Sequence, residues 1–488
     1  MRVAKRALVA IATACAIGGC SMAPVYHPPV IAAPAHFKED ATWKPADQAA
    51  ALPVQWWRLL GDVELDTLEQ RIDTANPTLA IALARYDRAR ADLHEARAAG
   101  LPHIGVGANL TSNRQSDNRP LRGAHQPDLY GAETIGGAID FDPDLWGRVR
   151  NSVAAGKAEA EASRDLMADV RLSLQTQLAL TYIRLRGLDR ELALLRQTVE
   201  AYNQADQLVQ RRFTGGIASG VDTARAGSLL EEARAQVEDV RAARALTEHA
   251  IASLTGTPAS AFSLPEAATI FALPAVPVGL PSTLLQRRPD VAAAEREMAA
   301  ANARIGVTKA AFFPAITLGG SGGFQNTALA GLIAAPNLFW SIGPSIALSL
   351  FDGGKRHAQL AAARAEWAET TARYRAISLG AFQEVEDQLA LLNHLGTEQA
   401  AEEKAAADAE QAQAIALNRY VKGAATYLDV VTAQTAALRM RETALSLETR
   451  RVQAGVGLIR ATGGGWSGPL STRQNYSHTV DLPPVSPR

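Results

Sequence analysis

The sequence predicts a mainly α-helical chain, internally duplicated, with a smaller β portion of membrane type. Three observations predict it. First, RAAGLPHIGVGANL at 97–110 and KAAFFPAITLGGSGGF at 309–324 each leave a charged, alanine-rich segment, cross a proline and then alternate apolar with tiny residues. Pro77, Pro102, Ile104 and Gly107 meet Pro289, Pro314, Ile316 and Gly319 at a constant spacing of 212 residues, and prolines in one register at both ends mark an internal repeat. Second, proline is absent from residues 144–212, which reads as one very long helix. Third, the segments following Pro102 and Pro314 keep a period of two, the signature of strands with unlike faces.

The chain has 488 residues, 49 basic against 50 acidic, and 47% hydrophobic residues. Balanced charge gives no electrostatic footprint for nucleic acid. No run of 18 apolar residues occurs beyond the N-terminus, which leaves no candidate for a spanning helix. The N-terminus itself reads MRVAKRALVAIATACAIGGC. A basic start, a short apolar stretch and small residues predict a cleaved secretory signal over 1–19. Ile17-Gly18-Gly19-Cys20 looks like a bacterial lipobox, so Cys20 is expected to become the lipidated first residue. Ser21, rather than Asp, after it resembles lipoproteins of the outer membrane. Each buried acyl methylene adds about 0.8 kcal/mol to such an anchor. Cys15 would leave with the signal, so the mature chain could form no internal disulfide.

Residues 20–55 are rich in Pro and Ala and read as an extended, lipidated arm. The first repeat spans 56–257. Asn76-Pro77 starts a helix, because proline suits the first helical position and the residue before it avoids the α region. Strands are expected at about 103–111 and 134–142, with Ile104, Val106, Ala108 and Leu110 on one apolar face. A long helix should follow over about 143–212. Its Leu174, Leu178, Leu185, Leu188, Leu192, Leu195, Val199 and Tyr202 recur at steps of three and four, a coiled-coil seam. A second helix should run over about 221–254, after the break at TGGIASGVD. A connector over 258–281 leads to the second repeat at 282–460. There the strands are expected at about 314–324 and 340–350, the long helix at about 354–421 and the last helix at about 425–459. Pro344 is awkward in its strand because it cannot donate to a ladder. Residues 461–488 read as a flexible tail.

Four strands of about ten residues each match the length of tilted membrane strands. They cannot remain an open sheet in lipid, where each unpaired backbone group costs several kcal/mol. Bacterial barrels start at eight strands. Several chains must therefore share one barrel, and each repeat supplies one hairpin and one tall helical layer.

WWRLLGDVELDTL at 56–68, LPSTLLQRRPDVAAAE at 280–295, AAFFPAITLGGSGGF at 310–324 and SLFDGGKR at 349–356 resemble the outer membrane efflux protein family. The resemblance is to the TolC and OprM type, in the NodT-like lipoprotein branch of RND-type tripartite pumps, and covers residues 54–460. It implies a homotrimer with a 12-stranded β-barrel continued by a 12-helix periplasmic α-barrel. It implies passive conduction of small molecules to the exterior, with a periplasmic adaptor (membrane fusion protein) and an inner membrane transporter as partners. The helix-to-helix turns would meet the adaptor, at Gly216, Ser219, Gly423 and Thr426. Asp222 and Asp429 occupy matching repeat positions near these turns, and their plain reading is helix capping. The resemblance puts Asp429 in a constricted periplasmic aperture and makes Tyr420 part of the links that close it. Ala425 stands where a gate arginine is found in one version of that pattern, so a different closing network is expected.

No enzymatic constellation competes. The nine histidines lack ligand spacing, and Gly319–Gly323 lacks the Lys-Ser/Thr of a phosphate loop. No cofactor or metal is expected. A periplasmic adaptor would carry one helical hairpin and no membrane-type strands. A purely structural coiled-coil lipoprotein would not need glycine-rich strands.

Overall fold

The computed structural model describes residues 21–39, 52–116, 118, 127–274, 276, 281–466 and 468, the side chains of 281–283 excepted. In chain order the main elements are α1 (Val63–Ala75), α2 (Pro77–Ala98), β1 (His103–Arg114), β2 (Leu129–Phe141), α3 (Arg148–Thr214) and α4 (Gly220–Leu254). After the connector come α5 (Pro281–Arg287), α6 (Pro289–Ala310), β3 (Ala315–Asn326), β4 (Leu338–Ala347), α7 (Lys355–Val421) and α8 (Tyr427–Ala461). The duplication is visible in the lengths: α2 and α6 have 22 residues, α3 and α7 have 67, α4 and α8 have 35. At 1.5 Å per residue each long helix measures about 100 Å. The chain divides into two compact units, Met1–Val30, Arg85–Ser163 and Ala294–Tyr374 in one, and Ile31–Ala84, Arg164–Ala293 and Arg375–Arg488 in the other.

The first unit holds the sheet, an antiparallel meander in the order β1-β2-β3-β4. Both hairpins join through β2 and β3, with Ile135 opposite Phe324 and Asp140 opposite Gly319. β1 begins at His103 as expected, and β2 begins at Leu129, five residues before the expected 134, because Leu129–Glu133 pairs with Leu110–Arg114 although its sequence does not alternate. β4 stops at Ala347, short of the expected 350, because its partner ends at Ala315, next to Pro314, which has no N–H to donate. Pro344 sits opposite Leu318 on this strand, which pairs only with β3.

The corner between β2 and α3 moves the helix start from the expected 143 to Arg148. Asp144, with a left-handed φ of 51°, accepts from Val149 N and Arg150 N at 2.8 Å each, satisfying first-turn donors. Asp352 does the same work for α7, accepting from Gly354 N and Arg356 N, with Gly353 and Gly354 at positive φ. In the same unit the arm after residue 20 is seated rather than free. Ser21 Oγ donates to Asn151 Oδ1 at 2.9 Å, and Asn302 Nδ2 donates to Pro24 O at 2.9 Å. Gly306 allows the approach, since a Cβ there would lie 2.7 Å from Ala23 Cβ.

The second unit buries the α3 seam. Leu178, Leu185, Leu192 and Leu195 are fully buried, and Leu192 and Leu195 pack with Val237 and Val240 of α4. The connector is docked, not loose. Arg186 Nη1 donates to Asp189 Oδ2 and to Pro265 O, while Arg244 Nη2 donates to Leu264 O. Residues 461–466, expected in a flexible tail, belong to the packed structure. Gly463, Gly464 and Gly465 all take positive φ, and a Cβ at Gly465 would lie 2.5 Å from Pro53 O.

Candidate functional site

Two features are the candidates for function, the faces of the sheet and the ends of the helical hairpins. Register assigns every strand residue to a face, because side chains alternate. Ile104, Val106, Ile139, Ile135, Phe324, Ile342 and Trp340 share one face through the pairs Ile104–Ile139, Ile135–Phe324 and Gly322–Trp340. In the single chain Val106 is 92% exposed, Ile342 78% and Trp340 74%. A contiguous apolar surface of this kind has to be covered. The opposite face carries mostly glycine, alanine, serine, threonine and asparagine, with His103, Tyr130, Asp140, Gln325 and Phe339 as its larger side chains. An open hollow of about 430 Å³ has most of its lining from that face, including Gly105, Gly107, Asn109, Thr134, Gly136 and Ala138. Within the chain β1 and β4 each pair on one side only. Among the described residues no helix is long and apolar enough to cross a membrane.

The two hairpin turns are built alike. α3 closes with Gly216 at φ 73° and a bond from Ile217 N to Arg212 O at 2.8 Å. α7 closes with Gly423 at φ 79° and Ala424 N to Arg419 O at 2.8 Å. Both are Schellman endings, which need a residue that tolerates the left-handed region. Ser219 and Thr426 then cap α4 and α8, and Asp222 and Asp429 complete a capping box in each case. Thr426 N donates to Asp429 Oδ2 at 2.9 Å and Ser219 N to Asp222 Oδ2 at 3.1 Å. The Thr426 backbone bond, then the Thr426 hydroxyl, holds the Asp429 carboxyl below its usual range. All four turn residues named from the sequence, and both aspartates, therefore lie at the hairpin ends.

Tyr420 is placed differently from the aspartates. It is buried with Val209, Ala226, Tyr427 and Val430, its ring 5.3 Å from that of Tyr427. Its hydroxyl has no hydrogen-bond partner among the described residues. The polar grip on this region comes from Arg212, which the sequence reading missed. Arg212 Nη1 donates to Tyr420 O at 2.8 Å and Nη2 to Val421 O at 2.6 Å. Its guanidinium lies 4.5 Å from the Tyr420 ring centroid, a cation–π distance. One bidentate arginine thus ties the end of α3 to the end of α7, satisfying carbonyls a helix C-terminus leaves free. The available signal was Arg419, which matches Arg212 at the repeat offset that relates Phe213 to Tyr420. Cys20, the expected lipidation site, lies outside the described residues.

A four-stranded sheet with a lipid-type face and open edges, carried with two capped helical hairpins, defines a subunit of an outer-membrane channel. The model of the family described as outer membrane efflux protein matches residues 68–257 and 280–464. The chain is 32% identical over 460 residues to outer membrane protein OprJ of Pseudomonas aeruginosa, covering 94% of this chain and 95% of that protein. It is 28% identical to the cation efflux system protein CusC of Escherichia coli over 467 residues, 94% of this chain and 98% of CusC. A crystal structure of a membrane protein from Pseudomonas aeruginosa matches with a TM-score of 0.84 at 30% identity, over 92% of this chain and 98% of that one. The chain belongs to the outer membrane efflux protein family.

Proposed function

We propose that the chain is the outer-membrane exit duct of a tripartite efflux pump, a passive conduit for small molecules and not an enzyme. Three copies would join β1 of one to β4 of the next, giving a 12-stranded barrel with a 12-helix periplasmic α-barrel. The observation that carries this reading is the pairing of an exposed apolar face with two unpaired edges on one four-stranded sheet. Lipid covers the face, and only other copies of the strands can satisfy the edges. CusC is a cation efflux protein and OpmQ a pyoverdine export protein by name, so related ducts serve unlike cargo. The cargo here is small molecules of the drug and toxic-compound kind. A periplasmic adaptor would dock at Gly216, Ser219, Gly423 and Thr426, with an inner membrane transporter supplying the drive. Asp222, Asp429 and Tyr420 would line or brace the periplasmic aperture. Cys20 would carry the lipid.

The test is direct. Detergent-extracted outer membranes should yield a trimer, and Asn326→Cys, at the last residue of β3 beside the following loop, should react with an impermeant thiol reagent on intact cells. A detergent-extracted monomer, or labelling only after outer-membrane rupture, would overturn the duct or its orientation. Cys20→Ser should lose acyl labelling while part of the protein still inserts as trimer; retained acylation would remove the lipid assignment.

A further inference from the structure

The small-residue face of the sheet is almost free of charge, and its exception is localised. Of the strand residues on this face, only His103, Asp140 and Tyr130 have titratable side chains. Tyr130 lies opposite Asn113, at the loop end. His103 and Asp140 are directly opposite each other at the other end, where the strands lead to the helices. Directly opposed side chains have Cβ atoms about 5 Å apart. Both are exposed. Their surroundings leave them uncovered, because the neighbouring positions are glycines: a Cβ at Gly319 would lie 3.6 Å from Asp140 Oδ1, and one at Gly105 3.7 Å from His103 Cε1. From β3 and β4 this end of the face presents only Ala315, Thr317, Gly319, Gly343, Ser345 and Ala347. The acids of the two following corners are already matched, Asp142 by Arg148, Asp144 by Arg150 and Asp352 by Arg356.

We infer that Asp140, modulated by His103 across the strand pair, forms a charge ring at the helix-side end of the barrel lumen that favours cationic over anionic cargo. The inference rests on the barrel reading, in which the apolar face meets lipid and the small face meets water. Threefold repetition then turns one carboxylate per chain into three around one opening, and acidic rings attract cations and repel anions. A wide lumen with one belt of charge sets a local potential rather than a tight binding site, and its reach is about 10 Å at 0.1 M salt.

The experiment reads that potential chemically, independently of the hairpin ends. Beyond residue 20 the chain has no cysteine, so single reporters are clean. Ser321→Cys lies on the small face of β3, two residues from Gly319, the partner of Asp140. Asn113→Cys lies on the same face at the far end of β1, opposite Tyr130. Each reporter is exposed in purified trimers to a cationic trimethylammonium methanethiosulfonate and an anionic sulfonate analogue. With Asp140 present, the cation-to-anion rate ratio at Ser321→Cys should be high. Asp140→Asn should lower it about threefold or more, and His103→Lys should lower it in the same direction. The ratio at Asn113→Cys should not move, being beyond screening range. Reaction with both reagents but an unchanged ratio at Ser321→Cys in Asp140→Asn overturns the ring and leaves the barrel standing. An equal fall at Asn113→Cys also overturns it, since the effect would not be local. If neither reagent reaches Ser321→Cys in well-formed trimers, the small face is not a water-filled lumen, and the ring falls together with the barrel reading.

Discussion

The two hairpin turns make an instructive pair. Gly215–Asp222 and Lys422–Asp429 end one long helix and begin the next with the same devices: a left-handed glycine, a Schellman bond, and a capping box. Yet the arginines one turn earlier behave differently. Arg212 reaches out of its own repeat to two carbonyls of α7 and stacks on Tyr420. Among the described residues Arg419 reaches only its own turn, Ala424 O at 3.3 Å. Local chain geometry was duplicated with the sequence, whereas the long-range contact exists in one copy. The lesson is that a repeat transmits short-range structure faithfully and leaves contacts between copies free to diverge.

The largest effect expected comes from what the turns share. Gly216→Val and Gly423→Val meet no steric neighbour, since nothing lies within 4 Å of either Cβ. The cost is confined to the left-handed backbone, about 1–2 kcal/mol, too little to dissolve a trimer but enough to reshape the turn. Each should abolish efflux in a duct-deleted host while trimers persist on native gels. Normal efflux from both variants would move the adaptor contact elsewhere; loss from one alone would show which hairpin the partner uses.

Next comes the asymmetry itself. Arg212→Ala removes two charge-assisted bonds and a cation–π contact, and should cost about 2 kcal/mol. Arg419→Ala removes one long, exposed bond and should cost less than about 0.5 kcal/mol. Thermal unfolding of the two variants measures the difference directly. Equal losses would mean the contacts between repeats are energetically idle. If Arg212 also braces the closed hairpin ends, its removal should raise single-channel conductance, and Arg419→Ala should not.

The smallest expected effects concern the aspartates. Asn at either position still accepts a backbone hydrogen bond, so Asp222→Asn and Asp429→Asn should leave the trimer intact. Under threefold symmetry Asp429 would form a ring of carboxylates, and Asp429→Asn should lower cation selectivity in planar bilayers. If Asp429→Asn and Asp222→Asn are both silent, only the capping role remains. The same residue predicts a pH signature. Its folded carboxyl is held below the ordinary aspartate value of 3.8 by Thr426. The stabilisation is therefore fully present above that value and drains away as pH falls through the lower, folded one. Below pH 3.8 the wild type should lose stability that Asp429→Asn never had; parallel acid profiles would show that the Thr426 bonds contribute nothing.

Much of this was legible in the sequence because the signals are short-range. Pro77 and Pro289 mark helix starts, the leucines from Leu174 to Leu195 mark a buried stripe, and Gly216 and Ser219 mark a turn and a cap. Each depends on residues within a few positions of one another, where dihedral preference and periodicity decide the outcome. The strand faces were readable for the same reason, since alternation is a two-residue rule. The ends of β2 and β4 were not, because a strand ends where its partner ends, and that partner lies elsewhere in the chain.

The duplication, the helices, the alternation of the strands and the capped turns all follow from the order of residues along the chain, since backbone geometry and hydrophobic period are properties of adjacent residues. Packing between distant segments made Arg212, not Arg419, the bridge between the repeats among the described residues, and buried Tyr420 with a hydroxyl that has no partner among them. It alone seated Ser21 and Pro24 against Asn151 and Asn302, and placed His103 opposite Asp140 on an otherwise uncharged face. Each of those depends on register or packing between segments distant in the chain, where no local preference acts and the pairing is set by what else must be buried or bonded.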